Sequence, residues 1–213
     1  MLTQLGYDDI KRMLHGAIET IRQTKDELSL LDAAIGDGDH GITMLRAFEK
    51  VGSVINSHTN GDISSMLEEI AWALMDIDGG CAGPLYGSLF MGMAEATANK
   101  PTLTTDSFVD MFENGLTSVQ EQTKARIGDK TMMDALIPAV QEMRLAADQE
   151  KTISEILEIA SLAARQGAET TKNFPARFGR AKHQGERTIG HPDPGSISMA
   201  YVFQGFRNGI VAE

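Results

Sequence analysis

The sequence has little cysteine, tryptophan or proline, and it has no long apolar run. Its 213 residues include one tryptophan, six prolines and a single cysteine, Cys81. One cysteine excludes an intramolecular disulfide and is typical of proteins kept in a reducing compartment. No apolar run approaches the roughly 20 residues that a membrane-spanning helix requires. The N-terminal MLTQLGYDDIKRM is polar and acidic, unlike a secretory signal peptide, so we expect a cytoplasmic protein.

Positive charge is also scarce. The chain carries 19 lysines and arginines against 30 aspartates and glutamates, which gives a formal net charge of -11. Such a chain repels nucleic acids and anionic membranes, so we expect neither as a partner. It would repel a nucleotide as well, unless a local group of arginines or a bound divalent cation reverses the sign of the charge at the site.

Apolar residues recur along most of the chain with the 3.6-residue period of amphipathic helices. We predict about eight helices, the first within residues 3–30 and the last from Asp193-Pro194 toward Val211. Residues 152–155 (TISE) have the pattern of a capping box that opens the seventh helix. No segment shows convincing β alternation. The predicted fold class is all-α, with residues 1–213 as one domain of antiparallel, up-and-down helices.

Three predicted connections are rich in glycine or proline. They comprise residues 32–41, 78–84 and 173–195, and they follow the first, third and seventh predicted helices. In an up-and-down bundle, alternate connections lie at the same end, so all three are expected to meet. Long loops in compact domains are often functional. We therefore expect the functional site at this end of the bundle.

The first of these connections contains AAIGDGDHG at residues 33–41. The G-x-G-x-x-G spacing is typical of dinucleotide-binding folds, but that interpretation requires a preceding β-strand and the preceding residues are helical. A calcium loop starting at Asp37 would need glycine and glutamate where Ile42 and Phe48 stand. Residues 128–131 (GDKT) lack the glycine that precedes the lysine of a Walker A loop. The sequence disfavours all three of these sites.

Three carboxylates, those of Asp32, Asp37 and Asp39, crowd around the same turn with His40 beside them. If they converge, their all-oxygen ligand set favours magnesium or calcium over zinc. The intervening glycines allow the backbone to fold back and bring the side chains together. The alternative is a solvated acidic turn, whose repulsion water and salt would screen. Spacing alone leaves both interpretations open.

The other two connections suit an anion. Residues 78–84 (DGGCAGP) place small residues before a helix N-terminus, where backbone N–H groups can receive a phosphate; a flexible turn is the alternative. The long connection carries a basic cluster on an acidic protein, unless it is merely a solvated loop. Its members are Arg177, Arg180, Lys182 and Arg187. Together, the three connections predict a phosphoryl-transfer site, at which cations neutralise charge on the transferred group.

Four segments, in order, resemble the nucleotide-binding L-subunit family of bacterial dihydroxyacetone kinases. The likeness spans nearly the whole chain and implies a closed barrel of eight antiparallel helices with a nucleotide at one end. The segments are residues 31–41 (LDAAIGDGDHG), 79–84 (GGCAGP), 128–132 (GDKTM) and 179–195, which contains GRA, GER and GHPDPG.

The resemblance implies roles for individual residues. Asp32, Asp37 and Asp39 would hold two Mg²⁺ ions that bridge the nucleotide phosphates. Arg180 and His40 are the catalytic candidates, although a histidine beside a metal loop is ordinarily a nucleotide contact and not a nucleophile. The residues expected to contact ADP or ATP are His40, Gly41, Thr43, Gly79, Gly80, Cys81, Ala82, Thr123, Met132, Arg180, Asp193, Pro194 and Gly195. Some relatives have serine at the position of Ala82, and a close one has asparagine at that of Thr43.

The family exists in two versions, which differ in the phosphoryl donor. In one, the L domain is fused to a substrate-binding K domain and consumes ATP. In the other, a separate L subunit retains ADP, which a phosphohistidine carrier of the sugar phosphotransferase system, the M subunit, rephosphorylates. The L subunit then passes the phosphoryl group to dihydroxyacetone on the K subunit. The chain has only the L portion, which favours the separate-subunit version.

Other functions stay open at the level of sequence. One is an ATP-dependent kinase subunit for another small ketose, such as erythrulose. Another is a nucleotide-sensing module that docks on a transcriptional regulator. A metal-dependent phosphohydrolase is disfavoured, because the five histidines are scattered along the chain and form no ligand set.

Overall fold

The computed structural model describes residues 3–77 and 82–211, which form an almost entirely helical protein. Within these ranges, the prediction of an all-α fold with about eight helices is confirmed. The α-helices are α1 (Tyr7–Ile35), α2 (His40–Ser57), α3 (Ile63–Met75), α4 (Ala82–Thr97), α5 (Thr105–Gln122), α6 (Met133–Asp148), α7 (Ile153–Thr170) and α8 (Pro194–Val211). Two 3-10 helices, Thr171–Asn173 and Arg180–Thr188, lie between α7 and α8.

The helices form a closed ring. Each packs against the next in sequence, and α8 packs against α1 to complete the circuit. At this last contact Gly205 lies against Ala17, and Gly209 lies against Arg12, so α1 and α8 run antiparallel. A Cβ atom added at Gly16, Gly205 or Gly209 would collide with the backbone of the facing helix. Glycine at these positions therefore lets the first and last helices approach closely enough to close the ring.

Apolar side chains from all eight helices fill the interior of the ring. An aromatic cluster joins α5 to α8: the ring centroids of Phe112 and Phe203 are 5.7 Å apart, and those of Phe112 and Phe206 are 5.8 Å apart. Most methionines are buried among these residues, as Met13 and Met93 illustrate. Their unbranched, polarisable side chains fill irregular gaps between helices, as the sequence predicted.

Two helix starts are capped as predicted. Thr152 Oγ1 accepts from the Glu155 N–H, and the Glu155 carboxylate accepts from the Thr152 N–H at 2.9 Å, so α7 begins with a capping box. At the start of α8, Asp193 Oδ2 accepts from the Ser196 N–H at 2.7 Å. Each cap satisfies backbone donors that the first helical turn leaves without a partner.

The structure differs from the predicted elements in three places. The first helix continues to Ile35 instead of ending near residue 30, so Asp32 lies in its last turn and the connection shortens to residues 36–39. The long connection contains two 3-10 helices instead of an open loop. A small antiparallel sheet, β1 (Gln4–Gly6) with β2 (Thr102–Thr104), is also present. Strands of three residues are too short for alternation to indicate them.

None of the helices in residues 3–77 and 82–211 combines the length and the apolar character that crossing a bilayer would demand.

Candidate active site

A cavity of about 310 Å³ opens at the end of the ring where α1, α5 and α7 end. Its position agrees with the expectation that connections after odd-numbered helices meet at one end. Twelve of the predicted site residues line it, namely Asp32, Asp37, Asp39, His40, Thr43, Ala82, Thr123, Met132, Arg180, Asp193, Pro194 and Gly195.

Four predicted site residues are not among those that line the cavity. Gly41 lies at the contact between α1 and α2, where an added Cβ would collide with the Lys25 carbonyl oxygen and approach Ser29. The structure thus gives Gly41 a packing position instead of a place on the cavity wall. Gly79, Gly80 and Cys81 lie outside the described residues.

The three acidic side chains do converge. One carboxylate oxygen from each of Asp32, Asp37 and Asp39 lies within 4.8 Å of the others. Asp32 projects from the last turn of α1, and Asp39 immediately precedes α2. Gly38, which lies between Asp37 and Asp39, has a φ of 80°. Glycine adopts this left-handed conformation without strain. Oxygen ligands at this spacing suit a hard divalent cation such as Mg²⁺.

Arg180 supplies positive charge beside these carboxylates. Its guanidinium forms an ion pair with Asp37 and lies 3.6 Å from a carboxylate oxygen of Asp39. The Arg180 side chain is 59% exposed, so the guanidinium is free to turn toward a ligand in the cavity. An arginine here offsets the mutual repulsion of the three carboxylates.

The rest of the predicted basic cluster does not converge on the cavity. Arg177 pairs with Asp129, at 3.6 Å. Lys182 and Arg187 form no ion pair with the residues that the structure describes, and neither lines the cavity. The prediction of a basic cluster at the site is therefore correct only for Arg180.

Helix N-termini add a second source of positive potential. Because neighbouring helices are antiparallel, the even-numbered helices begin at the end of the ring where the odd-numbered ones terminate. The first residues of α2, α4, α6 and α8 all line the cavity: they are His40, Ala82, Met133 and Pro194. Each N-terminus carries a partial positive charge of about half an elementary charge and unsatisfied N–H groups. Four such ends around one cavity favour an anion.

His40 is held in a fixed orientation. Its Nε2 lies 2.9 Å from Ser198 Oγ, and that hydroxyl donates its proton to the Gly195 carbonyl oxygen at 3.0 Å. Burial lowers the pKa of His40, an effect that Asp32 and a hydrogen bond to the Pro194 carbonyl partly oppose. The neutral imidazole is thus the form favoured near neutral pH.

Two charged residues line the cavity wall without a full account from the sequence, namely the buried Lys130 and the half-buried Asp193. Lys130 is 1% exposed, and its Nζ donates to the backbone oxygens of Thr171, at 2.6 Å, and His191. Burial lowers the pKa of Lys130, against the opposing effects of Asp193 and Asp134. For Asp193, predicted only as a nucleotide contact, burial raises the pKa to about 7. In the sequence, Lys130 lies in GDKT, which fails as a Walker A loop, and in the GDKTM segment of the family resemblance, but neither pattern gave it a role.

Tyr86 is a further cavity-lining residue that no sequence pattern predicted. Its side chain is buried, and its ring packs edge-on against Phe48, with centroids 5.9 Å apart. Its hydroxyl lies beside Ser198 but makes no hydrogen bond of normal geometry with the described part of the chain. Burial raises the pKa of Tyr86, so the phenol stays neutral.

The antiparallel helical ring with an acidic cavity at one end places the chain in the class of all-α domains. Within that class, the chain belongs to the DAK2 domain family, which matches residues 34–208. The chain is 39% identical to the "PEP-dependent dihydroxyacetone kinase, ADP-binding subunit DhaL" of Escherichia coli K12, over 83% of this chain and 84% of that protein. It is 34% identical to the "PTS-dependent dihydroxyacetone kinase, ADP-binding subunit DhaL" of Lactococcus lactis, over 87% and 88%. The family resemblance stated from the motifs is confirmed.

A solved structure shares the fold. The dihydroxyacetone kinase of C. freundii superposes with a TM-score of 0.71 at 26% identity. The alignment covers 94% of this chain but only 34% of that one, so this chain spans about a third of the larger kinase. Another crystal structure of the C. freundii kinase is a complex with AMP-PNP and Mg²⁺, and it gives the same TM-score of 0.71 at 25% identity.

Proposed function

We propose that this chain is the nucleotide-binding, phosphoryl-transferring subunit of a dihydroxyacetone kinase and that residues 1–213 act as one domain. The observation that carries the proposal is the convergence of Asp32, Asp37 and Asp39 at the mouth of a cavity ringed by helix N-termini. Support comes from the relatives, because the similarity covers most of the length of proteins named as ADP-binding subunits of this kinase. A phosphotransferase is the enzyme class that these names share.

The acidic trio would hold Mg²⁺, as two ions, against the phosphates of ADP. The donor set fits, because the three side chains offer carboxylate oxygens within reach of one ion cluster. When bound, Mg²⁺ would neutralise charge on the nucleotide and on the transferred phosphoryl group. The carboxylates alone would repel a diphosphate, which makes metal and nucleotide binding interdependent.

Arg180 would be the mobile cation of the site. In the structure its guanidinium pairs with Asp37. A divalent cation on Asp37 would release the guanidinium, which could then bind phosphate oxygens in the bidentate manner that suits arginine. His40, fixed by Ser198, would contact the nucleotide as a neutral ring. We assign it no role as a phosphate-carrying nucleophile, because transfer between bound groups depends on positioning and charge.

The walls of the cavity suit an adenosine. Met132 and Met133 offer apolar surface next to Thr123 at the base of the α5–α6 connection. We place adenine beside Met132, with residues 193–195 closing over the nucleotide. The small side chain of Ala82 leaves the N-terminus of α4 open to the phosphates, so that backbone N–H groups replace the serine hydroxyl of some relatives.

The proposed partners follow from the relatives. The names of these relatives call their kinases "PEP-dependent" and "PTS-dependent". We therefore infer that ADP would be a retained cofactor, recharged by a phosphohistidine carrier of the sugar phosphotransferase system. The acceptor would be dihydroxyacetone on the K subunit. A transcriptional regulator as a further partner stays a prediction, as does a cytoplasmic location.

Nucleotide that co-purifies with the chain tests this proposal. The protein is desalted in Mg²⁺ and denatured, and the released nucleotide is identified by its absorbance near 260 nm and by chromatography. ADP in an equimolar amount is the expected result. A nucleotide-free protein that turns over ATP when a K-type partner is added would instead support an ATP-consuming kinase, with erythrulose among the ketoses to be tried.

A further inference from the structure

Lys130 occupies a backbone conformation that lysine rarely adopts. Its φ is 62°, in the left-handed region that usually favours glycine or asparagine. Asn99 and Glu150, which share this feature among the described non-glycine residues, are both exposed, whereas Lys130 is buried. A strained residue persists where its surroundings determine it, and such residues cluster at functional sites.

The side chain of Lys130 is tied to two distant parts of the backbone. Its ammonium group donates to the backbone oxygens of Thr171 and His191. These two residues stand at the beginning and near the end of the stretch between α7 and α8, residues 171–193, called here the α7–α8 segment. Thr171 is also the C-cap of α7, where a positive charge is favourable because of the helix dipole.

Other bonds show that the two ends of the α7–α8 segment form a narrow neck. The Gly190 N–H donates to the Lys172 carbonyl oxygen at 2.7 Å, and the Asp193 N–H donates to Thr171 Oγ1 at 2.8 Å. Those bonds join one side of the neck to the other. Lys130 is different, since one side chain from the α5–α6 connection binds both sides at once.

The neck leads directly to the site. The segment that it closes carries Arg180, which pairs with Asp37, and it ends at Asp193, the cap of α8. We propose that Lys130 is a positioning residue: it closes the neck of the α7–α8 segment and thereby holds Arg180 and residues 193–195 against the nucleotide. It acts through these groups and does not touch the reacting atoms. The link to the nucleotide rests on the proposed function, but the closure of the neck does not.

Two substitutions separate the side chain from the strained backbone. Lys130→Met removes the donors while filling most of the space, and Lys130→Gly also relieves the unfavourable φ. Lys124→Met is the matched control, because Lys124 lies exposed on the same connection and has no ion pair among the described residues. Opening is measured as the rate of tryptic cleavage after Arg180, Lys182 and Arg187, with circular dichroism to report the helices.

In both Lys130 variants we expect cleavage within the segment to be at least about tenfold faster than in the wild type, with helix content unchanged, because two charge-assisted hydrogen bonds are lost. MgADP should dissociate at least about tenfold faster, while Lys124→Met should match the wild type.

Four results would overturn the proposal. The first is a wild-type cleavage rate in folded Lys130 variants. The second is a Lys130→Gly protein that resists trypsin as well as the wild type does, which would make backbone strain the cause. The third is loss of all helices in both variants, which would make Lys130 a general core residue. The fourth is faster cleavage with unchanged MgADP dissociation, which would remove the positioning role.

A wild type that binds no nucleotide would refute the proposed function alone, because cleavage still reports on the neck.

Discussion

Asp37 is the residue at which the charges of the proposed site meet, because it belongs to the acidic trio and also pairs with Arg180. In the proposed site, metal and arginine would compete for this carboxylate, so that one side chain would link cation binding to the release of Arg180. The sequence indicated the acidic trio and Arg180 as site residues but could not show their contact. Residues 37 and 180 are far apart in the chain, and the folding of the helical ring brings them together.

Replacement of Asp37 should weaken nucleotide binding while leaving the stability of the ligand-free protein almost unchanged. Asp37→Asn removes one charged metal ligand, and we expect the dissociation constant of MgADP to rise at least about tenfold, as measured by titration calorimetry. The melting temperature without ligand should change little, because Asp37 is half exposed and its loss also relieves repulsion. With MgADP, the stabilisation that ligand gives the wild type should shrink.

Asp26→Asn is the control for this variant. Asp26 lies on α1, is 88% exposed and, within the described part of the chain, forms an ion pair only with its neighbour Lys25, at 2.8 Å. It should bind MgADP as the wild type does. If Asp37→Asn also retained wild-type affinity at micromolar Mg²⁺, the assignment of the trio as metal ligands would be wrong.

Asp193 predicts a pH dependence of stability. Burial raises its pKa from 3.8 in the unfolded chain to about 7 in the folded one. The folded state then binds more protons than the unfolded state between these values, so the stabilising contribution of the protonated form is lost as pH rises toward 7. Relative to Asp193→Asn, the ligand-free wild type should lose up to about 1 kcal/mol of unfolding free energy per pH unit in this window.

Urea denaturation of both proteins at pH 5, 6 and 7 measures this difference. The asparagine keeps an oxygen that can accept from the Ser196 N–H, so the cap of α8 survives the substitution. Parallel pH profiles for the two proteins would show that Asp193 is already ionised throughout the range, paired with Lys130.

At the scale of elements, the contact between α1 and α8 is the one that closes the ring. The periodicity of apolar residues predicted both helices, and Asp193-Pro194 predicted where α8 begins. The periodicity could not predict that these two helices pack against each other. The three glycines of the contact, Gly16, Gly205 and Gly209, belong to different ends of the sequence, and a glycine within a helical pattern does not reveal its partner.

Two mid-helix glycines give a matched test of this contact. An alanine at Gly205 would collide with the backbone of α1, so Gly205→Ala should lower the free energy of unfolding by about 1–3 kcal/mol. At Gly52, the nearest neighbour of an added Cβ is Ile18 Cδ1 at 3.5 Å, an ordinary contact. Gly52→Ala should therefore stabilise α2 by up to about 1 kcal/mol, through helix propensity.

Chemical denaturation of the two alanine variants measures both effects. Equal effects of the two substitutions would show that the α1–α8 contact relaxes without cost and that the close approach of these helices does not hold the ring together.

For the whole molecule, the central problem is how a chain of net charge -11 would bind a polyanion such as ADP. The up-and-down topology supplies part of the answer, because it gathers four helix N-termini at the end that holds the acidic trio. The sequence predicted this end from the order of its connections. It did not predict Lys130 or Tyr86 as wall residues, since a buried lysine and a buried tyrosine follow no period and depend on tertiary contacts.

The central claim is that Mg²⁺ on Asp32, Asp37 and Asp39 enables this acidic cavity to bind ADP. Its most direct test is a calorimetric titration of the nucleotide-free protein with ADP, performed once with Mg²⁺ and once with EDTA. We predict tight binding with Mg²⁺ and a loss of at least about a hundredfold in affinity without it, because three carboxylates would then face the diphosphate. Equal affinity under the two conditions would contradict the account.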